Sequence, residues 1–106
     1  MLKNTIVVGQ TKLDYFIHGQ DPKLLLDSGT HGDEYDIIPL VENSVKKYLN
    51  QLPSFIYIPQ ISPSSVALKA RNNKDNLNIN RSYFTNSEVE EIKAVQKIIE
   101  NYHFDL

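Results

Sequence analysis

The sequence contains no cysteine among its 106 residues. This absence excludes disulfide bonds, thiolate metal sites and a cysteine nucleophile. No apolar run approaches the roughly 20 residues that a membrane-spanning helix needs. The first ten residues contain one continuous apolar stretch, residues 6–8, which is too short for a secretory signal. We therefore expect a cytoplasmic protein with no membrane partner.

An excess of positive charge is also missing. Eleven lysines and arginines stand against 13 acidic residues, so the formal net charge is −2 and the isoelectric point is near 5.8. This balance provides no global attraction to nucleic acid or anionic membranes, so anion binding requires a local cluster. The chain is 41% hydrophobic and 23% charged, which is typical of folded proteins. Its length fits a single domain, residues 1–106.

The patterning of the chain predicts an α/β fold. Short strands are expected at residues 5–8, 15–17, 24–26 and 55–58, and a helix with a 3.6-residue apolar period is expected at residues 36–49. Ser87 and Glu90 have the spacing of a capping box before a second helix, and residues 104–106 resemble the start of another strand. The alternation of strands and helices predicts a mixed, largely parallel sheet with flanking helices.

A pair of metal-binding residue types follows the third predicted strand. The apolar run 24–26 leads into Asp27-Ser28-Gly29-Thr30-His31-Gly32-Asp33-Glu34. Imidazole nitrogen and carboxylate oxygen are common zinc ligands, and catalytic zinc usually takes three protein ligands and one water. In parallel α/β sheets, ligands bind beyond the carboxyl ends of the strands, where His31 and Glu34 are expected. Without a metal, the same residues would form a polar turn before a helix.

A long segment with no helical or strand period, residues 62–84, follows the fourth predicted strand. It carries Lys69, Arg71, Lys74 and Arg81 against a single acid, Asp75. Loops of this length within a domain are usually functional or disordered. Guanidinium groups bind carboxylate or phosphate through paired hydrogen bonds. An alternative function is therefore a non-catalytic anion-binding or interaction module using the basic loop 69–81. Nucleic-acid binding is less favoured, because aromatic residues for base stacking are few.

Taken together, these motifs resemble those of the zinc carboxypeptidase superfamily. The motif Gly-Thr-His-Gly-Asp-Glu after an apolar strand is followed by Ser62-Pro63, Arg71 and Asn78-Ile79-Asn80-Arg81 in one long segment. The chain most resembles the succinylglutamate desuccinylase/aspartoacylase branch of that superfamily. This resemblance implies a zinc-dependent hydrolase of amide bonds in small carboxylate-bearing substrates, of the acyl-amino acid deacylase or carboxypeptidase type.

The resemblance also implies roles for individual residues. His31 and Glu34 match the first two zinc ligands, and Arg71 matches the arginine that polarises the scissile carbonyl. Asn80 and Arg81 match the pair that binds the free carboxylate of the substrate. Asn78 occupies a position where the family usually has aspartate, which we interpret as a mild departure with no catalytic consequence.

The family takes its third zinc ligand from a histidine at the end of a later strand and its general base from a glutamate further on. The chain ends where that strand is expected to begin, so we interpret residues 1–106 as the N-terminal portion of a larger catalytic domain. His103 is a poor substitute, because it precedes the strand and a strand spans about 17–20 Å. We therefore expect weak metal binding and little turnover from this chain, and the oligomeric state is left open.

Overall fold

The computed structural model describes residues 1–78 and 88–102. Within these ranges the chain forms strands, α-helices and two single-turn 3-10 helices at Gly32–Glu34 and Leu49–Gln51. The strands and α-helices, in chain order, are β1 (Leu2–Val8), β2 (Thr11–His18), β3 (Leu24–Asp27), α1 (Ile37–Lys47), β4 (Phe55–Ile58), α2 (Pro63–Leu68) and α3 (Glu90–Ile99).

The four strands form one sheet in the order β1-β2-β4-β3. Strands β1 and β2 form an antiparallel hairpin, β2 pairs antiparallel with β4, and β3 pairs parallel with β4. The parallel pair is connected by α1, as expected because parallel strands need a long crossover. The mixed sheet with flanking helices is confirmed. In the described residues the parallel contribution is the β3–β4 pair, and the other two pairings are antiparallel.

Strand β4 lies at the centre of the core and explains its uninterrupted apolar sequence. Its four residues are 0–1% exposed. Ile56 and Ile58 pack against α3 on one face of the sheet, whereas Phe55 and Tyr57 pack beside Val45 of α1 on the other. Because β3 and β4 run parallel and Asp27 pairs with Ile58, both strands end at the same edge of the sheet. The segments that follow them therefore start side by side.

Helix α2 corrects the prediction of a segment without regular structure at residues 62–84. Pro63 occupies the beginning of this helix, where its missing N–H and restricted φ angle are favourable. Lys69 ends the helix in the left-handed conformation, with φ at 52°. The prediction is wrong for residues 63–68 because a six-residue helix is too short to display an apolar period.

Two sequence predictions fall on parts of the chain that the structure does not describe. Ser87 of the capping box lies outside the described residues, and so do His103 and the expected strand at residues 104–106. The carboxylate of Glu90 forms a 2.8 Å ion pair with Lys74 and accepts a hydrogen bond from Thr11. The hydrogen bond from Lys74 is the main cause that lowers the pKa of Glu90. No helix in the described ranges has the length and apolar character needed to cross a bilayer.

Candidate metal centre

The bend after β3, residues 28–34, is hydrogen bonded to the segment that follows β4. The amide of Ser28 donates to the carbonyl of Ile58 at 3.1 Å, and the carbonyl of Gly29 accepts from the amide of Ser62 at 3.0 Å. Gly29 has a φ of +71°, and a Cβ atom there would lie 2.9 Å from the Cα of Gln60. Only glycine adopts this conformation at such close range without strain. The bend is therefore held in place by backbone contacts on both sides.

A second glycine docks the bend against α2. The amide of Gly32 donates to the carbonyl of Ala70 at 2.8 Å. A Cβ atom at Gly32 would overlap the carbonyl group of Ser65, and these are backbone atoms that cannot rotate away. Gly32 therefore allows the single turn Gly32–Glu34 to lie directly on α2. This contact positions the residues on either side of it, His31 and Glu34.

His31 and Glu34 converge at the carboxyl end of β3, as the sequence predicts. The His31 Nδ1 atom lies 3.8 Å from Glu34 Oε1. His31 is 6% exposed, whereas the side chain of Glu34 is 56% exposed. Both residues line an open cavity of about 290 Å³, together with Asp27 at the end of β3 and the aliphatic side chains of Ile37 and Val41. The pair thus combines a rigid nitrogen donor with an accessible oxygen donor.

The separation of the two donor atoms suits a shared metal ion. Zinc bonds of about 2.0–2.2 Å place two ligand atoms in a tetrahedral site about 3.4 Å apart. The observed 3.8 Å therefore needs a closure of only a few tenths of an ångström, which the exposed Glu34 side chain can supply. Among residues 1–78 and 88–102, no group of three or more His, Cys, Asp or Glu side chains is placed to hold a metal. These residues fit two of the three ligands of a catalytic zinc.

Asp27 is a residue of this cavity to which the sequence analysis assigned no site role. Although the residue as a whole is exposed, protein atoms around its carboxyl group displace water and raise its pKa. Its position at the last residue of β3 was the available signal, since ligand sites lie beyond strand ends. Asp27 adds a second carboxyl group to the lining of the cavity.

The long segment after α2 reaches the bend through Asn78. The carboxamide Oδ1 of Asn78 lies 3.1 Å from His31 Nε2. The segment is shaped by Asn73, which is 4% exposed and whose side-chain oxygen accepts hydrogen bonds from the amides of Asp75 and Leu77. Asparagine residues thus stabilise the irregular backbone and also contact the candidate metal ligand.

The backbone of Arg71 lies close to the bend in space. It directly follows Ala70, whose carbonyl accepts the hydrogen bond from Gly32, and it is exposed to solvent. Asn80 and Arg81 lie outside the described residues. The roles of Arg71, Asn80 and Arg81 in polarising and binding a substrate stay predictions.

Two of the four lysine and arginine residues in the basic loop 69–81 have partners in the fold. The Nζ atom of Lys69 lies 4.7 Å from the centre of the Tyr35 ring. The Nζ atom of Lys74 lies 2.8 Å from Glu90 Oε1. These contacts use positive charge that an anion-binding module would offer to its ligand, so they weigh against the alternative function. They also tie the segment to the bend and to α3.

The buried carboxylate of Glu91 anchors the start of α2. Glu91 is 1% exposed and accepts hydrogen bonds from Ser62 Oγ at 2.7 Å and from Ser64 Oγ at 3.2 Å. The backbone amide of Ser64 donates to the same carboxylate at 3.3 Å. Sequence analysis missed this residue because it reads as part of the polar face of α3. Its function is to hold the helix on which Gly32 rests.

Comparison with known proteins places this fold among hydrolases. No family model and no curated protein matches the sequence. An aspartoacylase family protein from Mesorhizobium loti has a similar structure, with a TM-score of 0.66 and 25% identity over 87% of this chain. Candidate metallopeptidases from Shewanella baltica and Shewanella denitrificans have TM-scores of 0.65 and 0.64, with 18% and 20% identity over 95% and 94% of this chain.

The chain spans less than half the length of these structures. It covers 32% of the Mesorhizobium protein and 44% and 40% of the two Shewanella proteins. The two Shewanella likenesses show the fold alone. The resemblance inferred from the motifs at residues 29–34 and 62–81 is confirmed at the level of the fold, because the structures similar to this chain are an aspartoacylase family protein and candidate metallopeptidases.

Proposed function

We propose that this chain contributes the first part of the active site of a zinc-dependent amide hydrolase. The substrates are small molecules or peptides with a free carboxylate, as in acyl-amino acid deacylases or carboxypeptidases. The observation that carries the proposal is the 3.8 Å approach of His31 Nδ1 and Glu34 Oε1 at the carboxyl end of β3. The likeness to an aspartoacylase family protein supports the substrate class.

Each proposed residue has a separate task. His31 and Glu34 would hold the zinc, which when bound activates water and polarises a carbonyl group. Arg71 would stabilise the negative charge that develops on the carbonyl oxygen of the substrate. Asn80 and Arg81 would bind the substrate carboxylate and orient the amide bond. The 290 Å³ cavity beside the donor pair suits a small substrate, because pockets for drug-sized ligands begin near this volume, at about 300 Å³.

His31 and Glu34 would be two of the zinc ligands, and the described residues contain no group of three that could hold a metal. We therefore assign the third ligand and the general base to residues outside the described ranges. A zinc ion with two protein ligands is held more loosely than one with three. We accordingly propose weak metal binding and little turnover for the 106-residue chain alone. The cytoplasmic location expected from the sequence stays a prediction.

Zinc binding tests the donor pair directly. In equilibrium dialysis we expect the chain to bind about one zinc ion weakly, since catalytic sites hold a single ion through a few ligands. The His31→Ala and Glu34→Gln variants should lose most of this binding, because each removes one of the two donors. The measurement is zinc retained per chain at increasing free zinc concentration.

Asp33→Ala provides the matched control, since Asp33 is an exposed acid in the same turn. It should retain zinc as the unmodified chain does. If His31→Ala and Asp33→Ala retain equal amounts of zinc, the proposed metal site is wrong. Tight stoichiometric binding by the unmodified chain would contradict the proposed division of the site.

The carboxylate specificity has its own test at Arg81. Arg81→Ala should weaken binding of an N-acyl amino acid by about tenfold or more, because a hydrogen bond to a charged group contributes about 1.5–3 kcal/mol. Binding of the corresponding N-acyl amino acid amide, which has no carboxylate, should change little. Ligand-observed NMR titration measures both affinities. Equal weakening for the two ligands would contradict the assignment of Arg81.

A further inference from the structure

The two ring nitrogens of His31 face different partners. Nε2 lies 3.1 Å from the carboxamide oxygen of Asn78, and Nδ1 lies 3.8 Å from Glu34 Oε1. The ring is buried, with 6% of the residue exposed, so its orientation is set by protein contacts rather than by water. The hydrogen-bond partner of one nitrogen therefore decides what the other nitrogen can do.

A carboxamide oxygen only accepts hydrogen bonds. A neutral imidazole carries one N–H and one unprotonated nitrogen, and the contact with Asn78 Oδ1 requires the N–H at Nε2. The lone pair is then on Nδ1, on the side of Glu34. Metal-bound histidines commonly donate a hydrogen bond from the N–H of their second ring nitrogen to an oxygen in this way, which fixes the tautomer and raises ligand basicity.

We propose that the Asn78 carboxamide fixes the Nε2–H tautomer of His31 and, because it is neutral, sets the metal affinity below that of a site with a carboxylate at this position. Asn78 is thus a positioning residue that acts through His31. A carboxylate would attract the Nε2 hydrogen more strongly and make Nδ1 a more basic donor. This adds a role in metal binding to a residue that we interpreted from the sequence as a departure with no catalytic consequence. The metal part of the inference rests on the proposed function, whereas the tautomer part does not.

The tautomer is measured first, on the metal-free chain labelled with ¹⁵N at histidine. Two-bond ¹H–¹⁵N correlation spectra distinguish a protonated nitrogen from an unprotonated one. We expect His31 to show Nε2–H in the unmodified chain and a mixture of tautomers in Asn78→Ala. Nδ1–H in the unmodified chain would overturn the inference, because the Asn78 amide would then present its NH₂ group to the ring.

Metal affinity is measured next, with zinc alone in competition against a chromophoric chelator. Removing an outer partner of a ligand usually costs about 10–100-fold in affinity, so Asn78→Ala should bind about tenfold more weakly. Asn78→Asp should bind about tenfold more tightly, as the reverse of the same effect. Asn72→Asp is the control. It adds the same negative charge to the same segment, but Asn72 hydrogen bonds to Asn76 rather than to His31.

The comparison between Asn78→Asp and Asn72→Asp separates tuning through His31 from a general charge effect. Asn78→Asp must exceed Asn72→Asp in zinc affinity, and equal affinities would overturn the inference. If Asn78→Ala fails to fold, the zinc affinities of Asn78→Asp and Asn72→Asp still test the inference, because the aspartate retains an acceptor oxygen for His31. If neither the unmodified chain nor any variant binds zinc, the proposed function and the metal part of the inference are both wrong. The tautomer spectra still show whether His31 Nε2–H donates a hydrogen bond to Asn78 Oδ1.

Discussion

Replacing Gly32 with alanine is expected to destabilise the chain by about 3 kcal/mol, the upper end of ordinary overpacking costs, and to abolish zinc binding. The added methyl group would overlap the carbonyl of Ser65 in α2. Because the clash is with backbone, the bend must move away from α2 as a unit. His31 and Glu34 flank Gly32 in this bend, so their approach would be lost. Urea unfolding measures the first effect and zinc dialysis the second.

Asp33→Ala is the control for this experiment. Asp33 belongs to the same turn and is exposed, so its truncation should change the free energy of unfolding by less than about 0.5 kcal/mol. The φ angle of Gly32 is not in the left-handed region, which makes the test purely steric. If Gly32→Ala unfolds at the same urea concentration as Asp33→Ala, the bend does not rest on α2 as the structure describes.

Truncating Glu91 to alanine is expected to destabilise the chain by about 3 kcal/mol, since a buried donor left without a partner costs about 1–3 kcal/mol. The serine hydroxyls of Ser62 and Ser64 and the amide of Ser64 would lose their common acceptor. The start of α2 would then loosen, and with it the support for Gly32. Urea unfolding monitored by circular dichroism measures the loss of stability.

Glu88→Ala controls for the removal of a nearby acid. Glu88 pairs with Lys93 at 2.9 Å, but its side chain is 89% exposed, and such surface pairs contribute about 0–1 kcal/mol. Glu91→Gln should recover most of the stability, because its amide oxygen still accepts from a serine hydroxyl. An equal effect of Glu88→Ala and Glu91→Ala would contradict the anchoring role of Glu91.

Sequence patterns predicted the elements whose side chains form the core. The apolar run 55–58 is a fully buried strand, and the 3.6-residue period after residue 36 is helix α1. These patterns are readable because burial on both faces or on one stripe imposes a periodicity on the residues themselves. Helix α2 was missed because its stability derives from Pro63, from the left-handed Lys69 and from the distant carboxylate of Glu91.

The candidate site likewise has features that the sequence predicts and features that only the tertiary structure decides. The chain itself determined that a histidine and a glutamate stand three residues apart after an apolar strand, and this local spacing already brings their donor atoms to one side of a turn. Tertiary structure alone decided that Gly32 lies on α2 and that Asn78 Oδ1 lies within hydrogen-bond distance of His31 Nε2. These contacts join residues 33 and 47 positions apart, and no periodic pattern records such pairs, because they depend on how separate segments pack.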